Sequence, residues 1–274
     1  KSIRSLSIDA INTANSGHPG LPLGCAEIGA YLYGHALNFN PKNPDWFNRD
    51  RFVLSAGHGS MLLYACLYLS GYNVSLDDIR QFRQLNIPTA GHPEYKELPG
   101  IETTTGPLGQ GVATGIGMAL AHQRASQQFD PNQKGFADSS VYILAGDGCM
   151  MEGVTSEVSS LAGHLCLNNL ILIYDSNDIC LDGPITECFS EDVAKRYESY
   201  GWDVFEIDGH HLTEIDQAVS QAKMSLKPSL IIAKTTIGYG SPNRSGSSES
   251  HGKPLGDEET ALTKKELGIP LDVP

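Results

Sequence analysis

Five short apolar runs, rich in β-branched residues, most constrain the fold of this 274-residue chain. Several are continuous rather than alternating, which is typical of strands whose two faces are both covered. Segments of helical length separate the runs, which are RFVLS (51–55), VYILAG (141–146), LILIYD (170–175), WDVFEID (202–208) and SLIIAKT (229–235). This alternation predicts an α/β fold with a doubly wound, mainly parallel sheet and helices on both faces.

Charge and composition exclude several classes of protein. The formal net charge is −13 and no Lys/Arg cluster stands out, which argues against a nucleic-acid partner. No apolar run approaches the roughly 20 residues of a membrane helix, so we expect no membrane partner. The six cysteines are scattered without a C-x-x-C pair. This pattern favours reduced thiols and a cytoplasmic location.

Local patterns predict several helices between the strands. The first residues, KSIRSLSIDAINTAN (1–15), are typical of an amphipathic helix. Ser75 with Asp78, and Thr213 with Asp216, have the spacing of a capping box at a helix start. The second of these helices is predicted to bury one stripe of residues, namely Ile215, Val219, Ala222 and Leu226.

Polar residues follow two of the predicted strands at the points where the strands end. Asp147 stands between Gly146 and Gly148 after the second run, and Asn177 follows the third run. Ligands bind at the carboxyl ends of parallel strands, and carboxylate and amide oxygens suit Mg²⁺ or Ca²⁺. The glycines allow a close approach, and a helix predicted to begin near Met150 aims N–H groups at an anion. We predict a cation that holds a diphosphate here; the alternative is a tight turn and a polar loop.

Four of the nine histidines stand in loops bounded by glycine or proline, namely His18, His58, His92 and His251. Imidazole can donate, accept and transfer protons near neutral pH. A structural or surface role remains the alternative for any one of them. Their shared loop context favours one cleft that contains all four.

Six motifs resemble those of the transketolase family in order and spacing, over essentially the whole chain. They are SGHPG (16–20), SAGHGSMLLYACL (55–67), AGHPE (90–94), TTTGPLGQG (103–111), GDGCMMEGVTSEVSSLAGHL (146–165) and SHGKPLGD (250–257). The resemblance implies transfer of a two-carbon ketol group from a ketose phosphate to an aldose phosphate. It also implies thiamine diphosphate and Mg²⁺ or Ca²⁺ as cofactors. Dihydroxyacetone synthase, a close relative, remains an alternative.

One segment also invites a different interpretation, because Gly109 and Gly111 could begin a dinucleotide-binding G-x-G-x-x-G fingerprint. Thr114 occupies the position of the third glycine, and IETTT (101–105) is a poor preceding strand. The fingerprint needs both features, so dinucleotide binding is not favoured.

The resemblance implies which residues hold the metal and the cofactor. Asp147, Asn177 and the main-chain carbonyl of Ile179 would coordinate the metal. The residues implied to contact thiamine diphosphate are His58, Gly106, Pro107, Leu108, Gly148, Asn177, Ile237 and His251. Within this set, Gly148 would meet the diphosphate and Leu108 the aminopyrimidine.

The resemblance also assigns roles to the loop histidines. His18, His92 and His251 would bind the sugar substrate, and His18 and His251 would assist proton transfer. The Gly/Ser-rich segment 238–256, which composition alone describes as a flexible linker, would cover the active site and be mobile before ligand binds.

Two acidic residues, Glu152 and Glu157, are five residues apart on one predicted helix, so they would point about 140° apart. One interpretation is a favourable charge at the helix start and a solvated side chain. The resemblance implies instead that these acids meet across a subunit interface and relay protons between two active sites.

The resemblance divides the chain into a diphosphate-binding domain (1–255) and the start of an interdomain linker (256–274). The pyrimidine-binding and C-terminal domains of such enzymes are absent from this sequence. We therefore expect part of a longer enzyme or a natural split subunit. It would act in a homodimer or with a complementary pyrimidine-domain subunit. An isolated thiamine diphosphate binding module without its own activity is the alternative.

Overall fold

The computed structural model describes residues 1–132 and 134–271 and is organised around one parallel sheet. Its strands are β1 (Arg51–Leu54), β2 (Val141–Gly146), β3 (Leu170–Ser176), β4 (Asp203–Asp208) and β5 (Ser229–Lys234). Their order is β1-β2-β3-β5-β4, and every neighbouring pair is parallel. Each strand coincides with one of the five predicted runs, so the α/β class is confirmed.

The central strands are covered on both faces. All seven residues of β3 are buried, as are the first five of β2. Successive side chains of a strand point to opposite faces, so continuous burial requires packing above and below the sheet. Strand β4, at one edge, is only partly buried. This burial explains why the apolar runs of the sequence are continuous at the centre of the sheet.

Eleven α-helices and a few single turns surround the sheet within the described residues. The helices are α1 (Ser2–Ala14), α2 (Gly20–Gly24), α3 (Ala26–Tyr31), α4 (Ser60–Leu69), α5 (Leu76–Arg80), α6 (Gln110–Phe129), α7 (Asp147–Met151), α8 (Gly153–His164), α9 (Val193–Ser199), α10 (Leu212–Met224) and α11 (Gly256–Glu266). Helix α6 packs on β1, β2 and α8, and α10 packs on β4. None of the described helices is long and apolar enough to cross a membrane.

The helix-start predictions had mixed outcomes. Ser75 and Asp78 form the predicted capping box at α5. The box predicted at Thr213 is wrong, because α10 already begins at Leu212 and His211 occupies the N-cap without a side-chain cap bond. Leu226 does not belong to the buried stripe; it lies beyond the helix end and is 81% exposed.

The segment after residue 255 begins with α11, which packs against α1. The Asn12 amide donates to Asp257 at 2.7 Å, and the Lys264 ammonium lies 2.7 Å from the Asp9 carboxylate. This part of the predicted linker is therefore attached to the domain. The boundary at residue 255 stays a prediction, and residues 272–274 lie outside the described part of the chain.

Candidate active site

Asp147 and Asn177 lie at neighbouring strand ends, as predicted. Strands β2 and β3 pair in parallel, with Gly146 opposite Asp175. Asp147 follows the first of these residues, and Asn177 stands two residues after the second. The predicted helix start near Met150 is wrong, since α7 begins at Asp147 itself. The carboxylate is therefore placed by the first helical turn after the strand.

One oxygen of the Asp147 carboxylate is hydrogen-bonded and the other is not, within the described residues. The Tyr174 hydroxyl donates to Asp147 Oδ1 at 2.5 Å. Its Oδ2 atom is buried and has no hydrogen-bond partner among the described residues. Burial raises the pKa of Asp147 to about 7, and the nearby Asp175 carboxylate adds to the effect. A buried anionic oxygen without a partner is destabilising, so a cation at Oδ2 would stabilise the carboxylate.

Asn177 is fixed by two hydrogen bonds of its side chain. Its Oδ1 accepts from the Ile179 N–H at 3.1 Å, and its Nδ2 donates to Asp175 Oδ2 at 3.0 Å. Asp175 is 1% exposed and also accepts from the Thr235 hydroxyl. Sequence reasoning missed Asp175, although a carboxylate at the end of an apolar strand and beside a polar loop is a usable signal. Asp175 orients the amide.

The donor set at this edge suits a hard cation. Asp147 Oδ2, the Asn177 amide oxygen and the Ile179 carbonyl are all oxygen donors, as Mg²⁺ and Ca²⁺ prefer. No group of three or more His, Cys, Asp or Glu in the described residues is placed to hold a metal. An ion here would therefore depend on phosphate oxygens and water for its remaining ligands. A diphosphate-bearing cofactor would provide such oxygens.

The four loop histidines come together, as predicted. The His18 ring lies 5.1 Å from that of His58, 5.8 Å from His251 and 6.4 Å from His92, measured between centroids. His58 and His251 stack at 5.1 Å. The four residues come from separate loops: His18 follows α1, His58 lies in a turn before α4, His92 lies between α5 and α6, and His251 precedes α11.

Burial keeps these imidazoles neutral near pH 7. It lowers the pKa of His58 to about 3 and that of His18 to about 4, and at His18 the Arg83 guanidinium adds to the effect. Burial also lowers the pKa of His92 and of His251. A neutral imidazole has one donor and one acceptor nitrogen. The cluster can therefore both donate hydrogen bonds to hydroxyl groups and accept hydrogen bonds from them.

A cleft of about 450 Å³ joins the strand ends to three of the histidines. Among the predicted site residues it is lined by His18, His58, Gly106, Leu108, Asp147, Gly148, Glu152, Asn177, Ile179, Ile237 and His251. Pro107 and Glu157 are not part of its lining, and His92 lines an adjoining groove with Arg83. Gly146, which flanks Asp147 in the sequence motif, also lines the cleft, as do residues that the sequence did not single out, namely Leu21, Cys149, Met151, Asp175, Cys180, Leu181 and Cys188.

The loop before α6 reaches the first turn after β2. A Cβ atom on Gly148 would lie 2.7 Å from Leu108 Cδ1, so the glycine lets these segments touch. Gly111 packs in the same way on Ser55, where an added Cβ would lie 2.5 Å from its Cα atom. Close packing thus explains a glycine in the first turn of each of two helices, Gly148 in α7 and Gly111 in α6. No strand precedes α6 directly, as residues 101–105 form a loop, which agrees with setting dinucleotide binding aside.

The Gly/Ser-rich segment 238–256 borders the cleft through His251 and packs on Gly20. An added Cβ on Gly20 would lie 2.5 Å from Ile237 Cγ1 and 2.8 Å from the Ser250 carbonyl oxygen. Within the segment His251 lines the cleft, and so does Ile237, the residue just before the segment. The covering role of this segment and its mobility stay predictions.

Glu152 and Glu157 do not share one helix, contrary to the prediction. Glu152 has extended backbone angles (φ −68°, ψ 135°) and separates α7 from α8 as the N-cap of the latter. Both acidic residues are exposed. The predicted angle of about 140° between them therefore does not apply. Their interface and relay roles stay predictions.

Arg83 is a second residue that sequence reasoning missed. Its Nη1 donates to Ser16 Oγ at 2.8 Å, and its Nη2 lies 3.3 Å from His18 Nδ1. Its backbone is left-handed, with a φ of 63°. The sequence gives little signal for this role, because Arg83 lies on an irregular turn and 65 residues from His18. Arg83 fixes the His18 ring.

The chain matches the family model described as the transketolase thiamine diphosphate binding domain, over residues 1–273. It is 54% identical over 264 residues to the transketolase of Halalkalibacterium halodurans, covering 96% of this chain and 40% of that protein. The structure of the transketolase of Leishmania mexicana is similar with a TM-score of 0.95 and 43% identity, covering 98% of this chain and 40% of that one.

A Pichia stipitis transketolase in complex with sedoheptulose 7-phosphate is also similar, with a TM-score of 0.93 and 47% identity. This match covers 98% of our chain and 40% of the Pichia chain. The present chain thus spans about two fifths of the length of the relatives it matches.

Proposed function

This chain belongs to the transketolase family, as its thiamine diphosphate binding domain, and from that premise we propose that it supplies the diphosphate- and metal-binding half of a ketol-transferring active site. The substrates are sugar phosphates: a ketose donor and an aldose acceptor. The observation that carries this proposal is Asp147 Oδ2, which is buried without a partner among the described residues, in a cleft that Asn177 and three histidines also line.

The metal half of the site is made of oxygen donors from this chain. Asp147, the Asn177 amide and the Ile179 carbonyl would hold Mg²⁺ or Ca²⁺, and Gly148 would contact the diphosphate. Tyr174 and Asp175 orient the first two donors. When bound, thiamine diphosphate supplies a nucleophilic carbon and an electron sink for carbon–carbon bond cleavage.

The remaining cofactor contacts proposed for this chain are His58, Gly106, Pro107, Leu108, Ile237 and His251. All of them except Pro107 line the cleft. Leu108, which touches Gly148, lies against the aminopyrimidine in this proposal. Apolar side chains here exclude water from the reacting carbon.

The histidine cluster binds and deprotonates the sugar. His18, His92 and His251 form hydrogen bonds with the hydroxyl groups of the ketose substrate, both as donors and as acceptors. His18 or His251 takes a proton from one of these hydroxyl groups as the carbon–carbon bond breaks. A neutral imidazole is required for that step, which the burial-lowered pKa values of His18 and His251 provide. Arg83 keeps one His18 nitrogen engaged and so orients the other.

The complete active site needs a pyrimidine-binding domain, which we place in the second subunit of a homodimer or in a complementary chain. Glu152 and Glu157 are exposed and so are available for such an interface. The six cysteines are all free thiols, which favours a cytoplasmic location.

Two assays test the proposal. Calorimetric titration of thiamine diphosphate into the chain should show binding with Mg²⁺ or Ca²⁺ and none with a chelator. A preparation that also contains the pyrimidine-binding domain should convert xylulose 5-phosphate and ribose 5-phosphate into sedoheptulose 7-phosphate and glyceraldehyde 3-phosphate. Cofactor binding without turnover in that preparation would favour a binding module. A preference for formaldehyde as acceptor would favour a dihydroxyacetone synthase.

A further inference from the structure

Two cysteines face each other at the mouth of the candidate active site. The Cys180 and Cys188 sulfur atoms lie 3.9 Å apart, and both residues line the cleft that contains Asp147 and His251. The proposed function assigns neither thiol a role. Cys188 is exposed and Cys180 is partly exposed, so a small molecule in solution can reach them.

The segment between the two cysteines can bring their sulfur atoms together. Cys180 begins a short turn in which its N–H donates to the Gly183 carbonyl at 2.8 Å. Cys188 follows the single helical turn Ile185–Glu187. No described strand or α-helix holds either cysteine. A disulfide needs a sulfur–sulfur separation of about 2.05 Å, so closure requires a movement of only about 2 Å shared between the two side chains.

We propose that Cys180 and Cys188 form a reversible disulfide at the mouth of the cleft, which makes the pair a site of oxidation by small-molecule disulfides. The Cys188 thiolate attacks one sulfur of the oxidant and releases a thiolate. The Cys180 thiolate then attacks the Cys188 sulfur of the mixed disulfide and displaces the second thiolate. The two cysteines lose two protons and two electrons, and the oxidant is reduced to two thiols.

The position of the pair links its oxidation to the cofactor. Cys180 directly follows Ile179, the proposed carbonyl ligand of the metal, and both sulfurs border the same cleft. This consequence rests on the proposed function: thiamine diphosphate in the cleft shields the thiols and slows the oxidation severalfold. The disulfide itself does not depend on the cofactor.

The test is oxidation of the cofactor-free chain with oxidised glutathione, followed by mass spectrometry and peptide mapping. We expect one Cys180–Cys188 cross-link, a loss of about 2 Da at that pair, and full reversal by a dithiol reductant. Cys166, exposed elsewhere, is the matched control and should carry only a glutathione adduct. Cys188→Ser should leave a single adduct at Cys180.

Separate adducts on Cys180 and Cys188, or a cross-link to another cysteine, would overturn the proposal. A second oxidation with Mg²⁺ and thiamine diphosphate, with binding verified by calorimetry, tests the link to the cofactor. An unchanged rate with bound cofactor would overturn the placement of the pair at the cofactor site. Failure of the cofactor to bind would instead contradict the proposed function and leave the disulfide result standing.

Discussion

The Tyr174 hydroxyl donates to Asp147 Oδ1 at 2.5 Å, while Asp147 Oδ2 is buried and unpartnered in the described chain. This relationship leaves one carboxylate oxygen free for a cation. Residues that orient metal ligands commonly change metal affinity when they are removed. Tyr174 is therefore a positioning residue in our account.

Tyr174→Phe removes that hydrogen bond and should weaken Mg²⁺-dependent binding of thiamine diphosphate by about tenfold or more. Tyr142→Phe is the control, since the Tyr142 hydroxyl is buried in the same sheet without a partner in the described residues. Its removal should leave cofactor affinity unchanged. Calorimetric titration measures both variants, and equal affinities would contradict the positioning role.

Gly148→Ala should disturb the contact between the first turn after β2 and the loop before α6. The new Cβ atom would lie 2.7 Å from Leu108 Cδ1, so one segment must move. We expect thiamine diphosphate affinity to fall by about tenfold, equivalent to about 1.4 kcal/mol. Gly153→Ala is the matched control because its added Cβ would have no atom of the described residues within 4 Å, apart from its own helix and chain neighbours. If both variants bound equally well, the close approach would have no functional role.

The stability of the cofactor-free chain should fall in acid through His58. Burial lowers the pKa of His58 to about 3, whereas an unfolded histidine titrates near 6.5. Between about pH 3 and pH 6.5 the unfolded chain binds more protons at this histidine than the folded chain does. The stabilisation from neutral His58 is therefore fully present above pH 6.5, and the free energy of unfolding decreases as the pH falls below that value. The loss is at most about 1.4 kcal/mol per pH unit.

Urea unfolding of His58→Gln should therefore show a smaller decrease in the free energy of unfolding between about pH 6.5 and 4.5 than the unaltered chain. His164→Gln, at the exposed end of α8, is the control and should keep the original pH dependence. An identical slope for His58→Gln would mean that its burial does not govern acid stability.

His92→Ala should impair use of the sugar donor more than binding of the cofactor. His92 lines the groove beside the cleft rather than the cleft itself. In a preparation with the pyrimidine-binding domain, we expect a raised KM for xylulose 5-phosphate and a nearly unchanged affinity for thiamine diphosphate. The reverse pattern, with weak cofactor binding and normal donor KM, would contradict the assignment.

The sheet and the meeting of Asp147 with Asn177 could be predicted because both follow from burial and topology. Strands covered on two faces need continuous apolar runs, and parallel neighbours bring their ends to one edge. The histidine cluster was predicted from its loop context. The lowered pKa values of these histidines depend on how deeply the loops are buried. The spacing of the residues in the sequence does not specify that depth.

Other features depended on contacts that the sequence does not display. Glu152 interrupts a segment with good helical pattern, because its extended backbone starts a new helix at Gly153. Arg83 reaches His18 from a left-handed turn, and nothing local marks that long-range contact. Cys180 and Cys188 lack a known spacing motif, and their facing sulfurs appear only in the folded loop.

The most direct measurement is the Mg²⁺-dependent binding of thiamine diphosphate to Asp147→Ala, with Asp178→Asn as the control, because the backbone of Asp178 is left-handed (φ 65°) and asparagine tolerates that conformation. Asp178 is an exposed aspartate at the same strand edge, paired at 3.3 Å with Lys234. We expect Asp147→Ala to lose metal-dependent binding while its circular dichroism and unfolding remain those of a folded chain, and we expect Asp178→Asn to bind normally. Unchanged affinity in a folded Asp147→Ala would contradict the metal assignment.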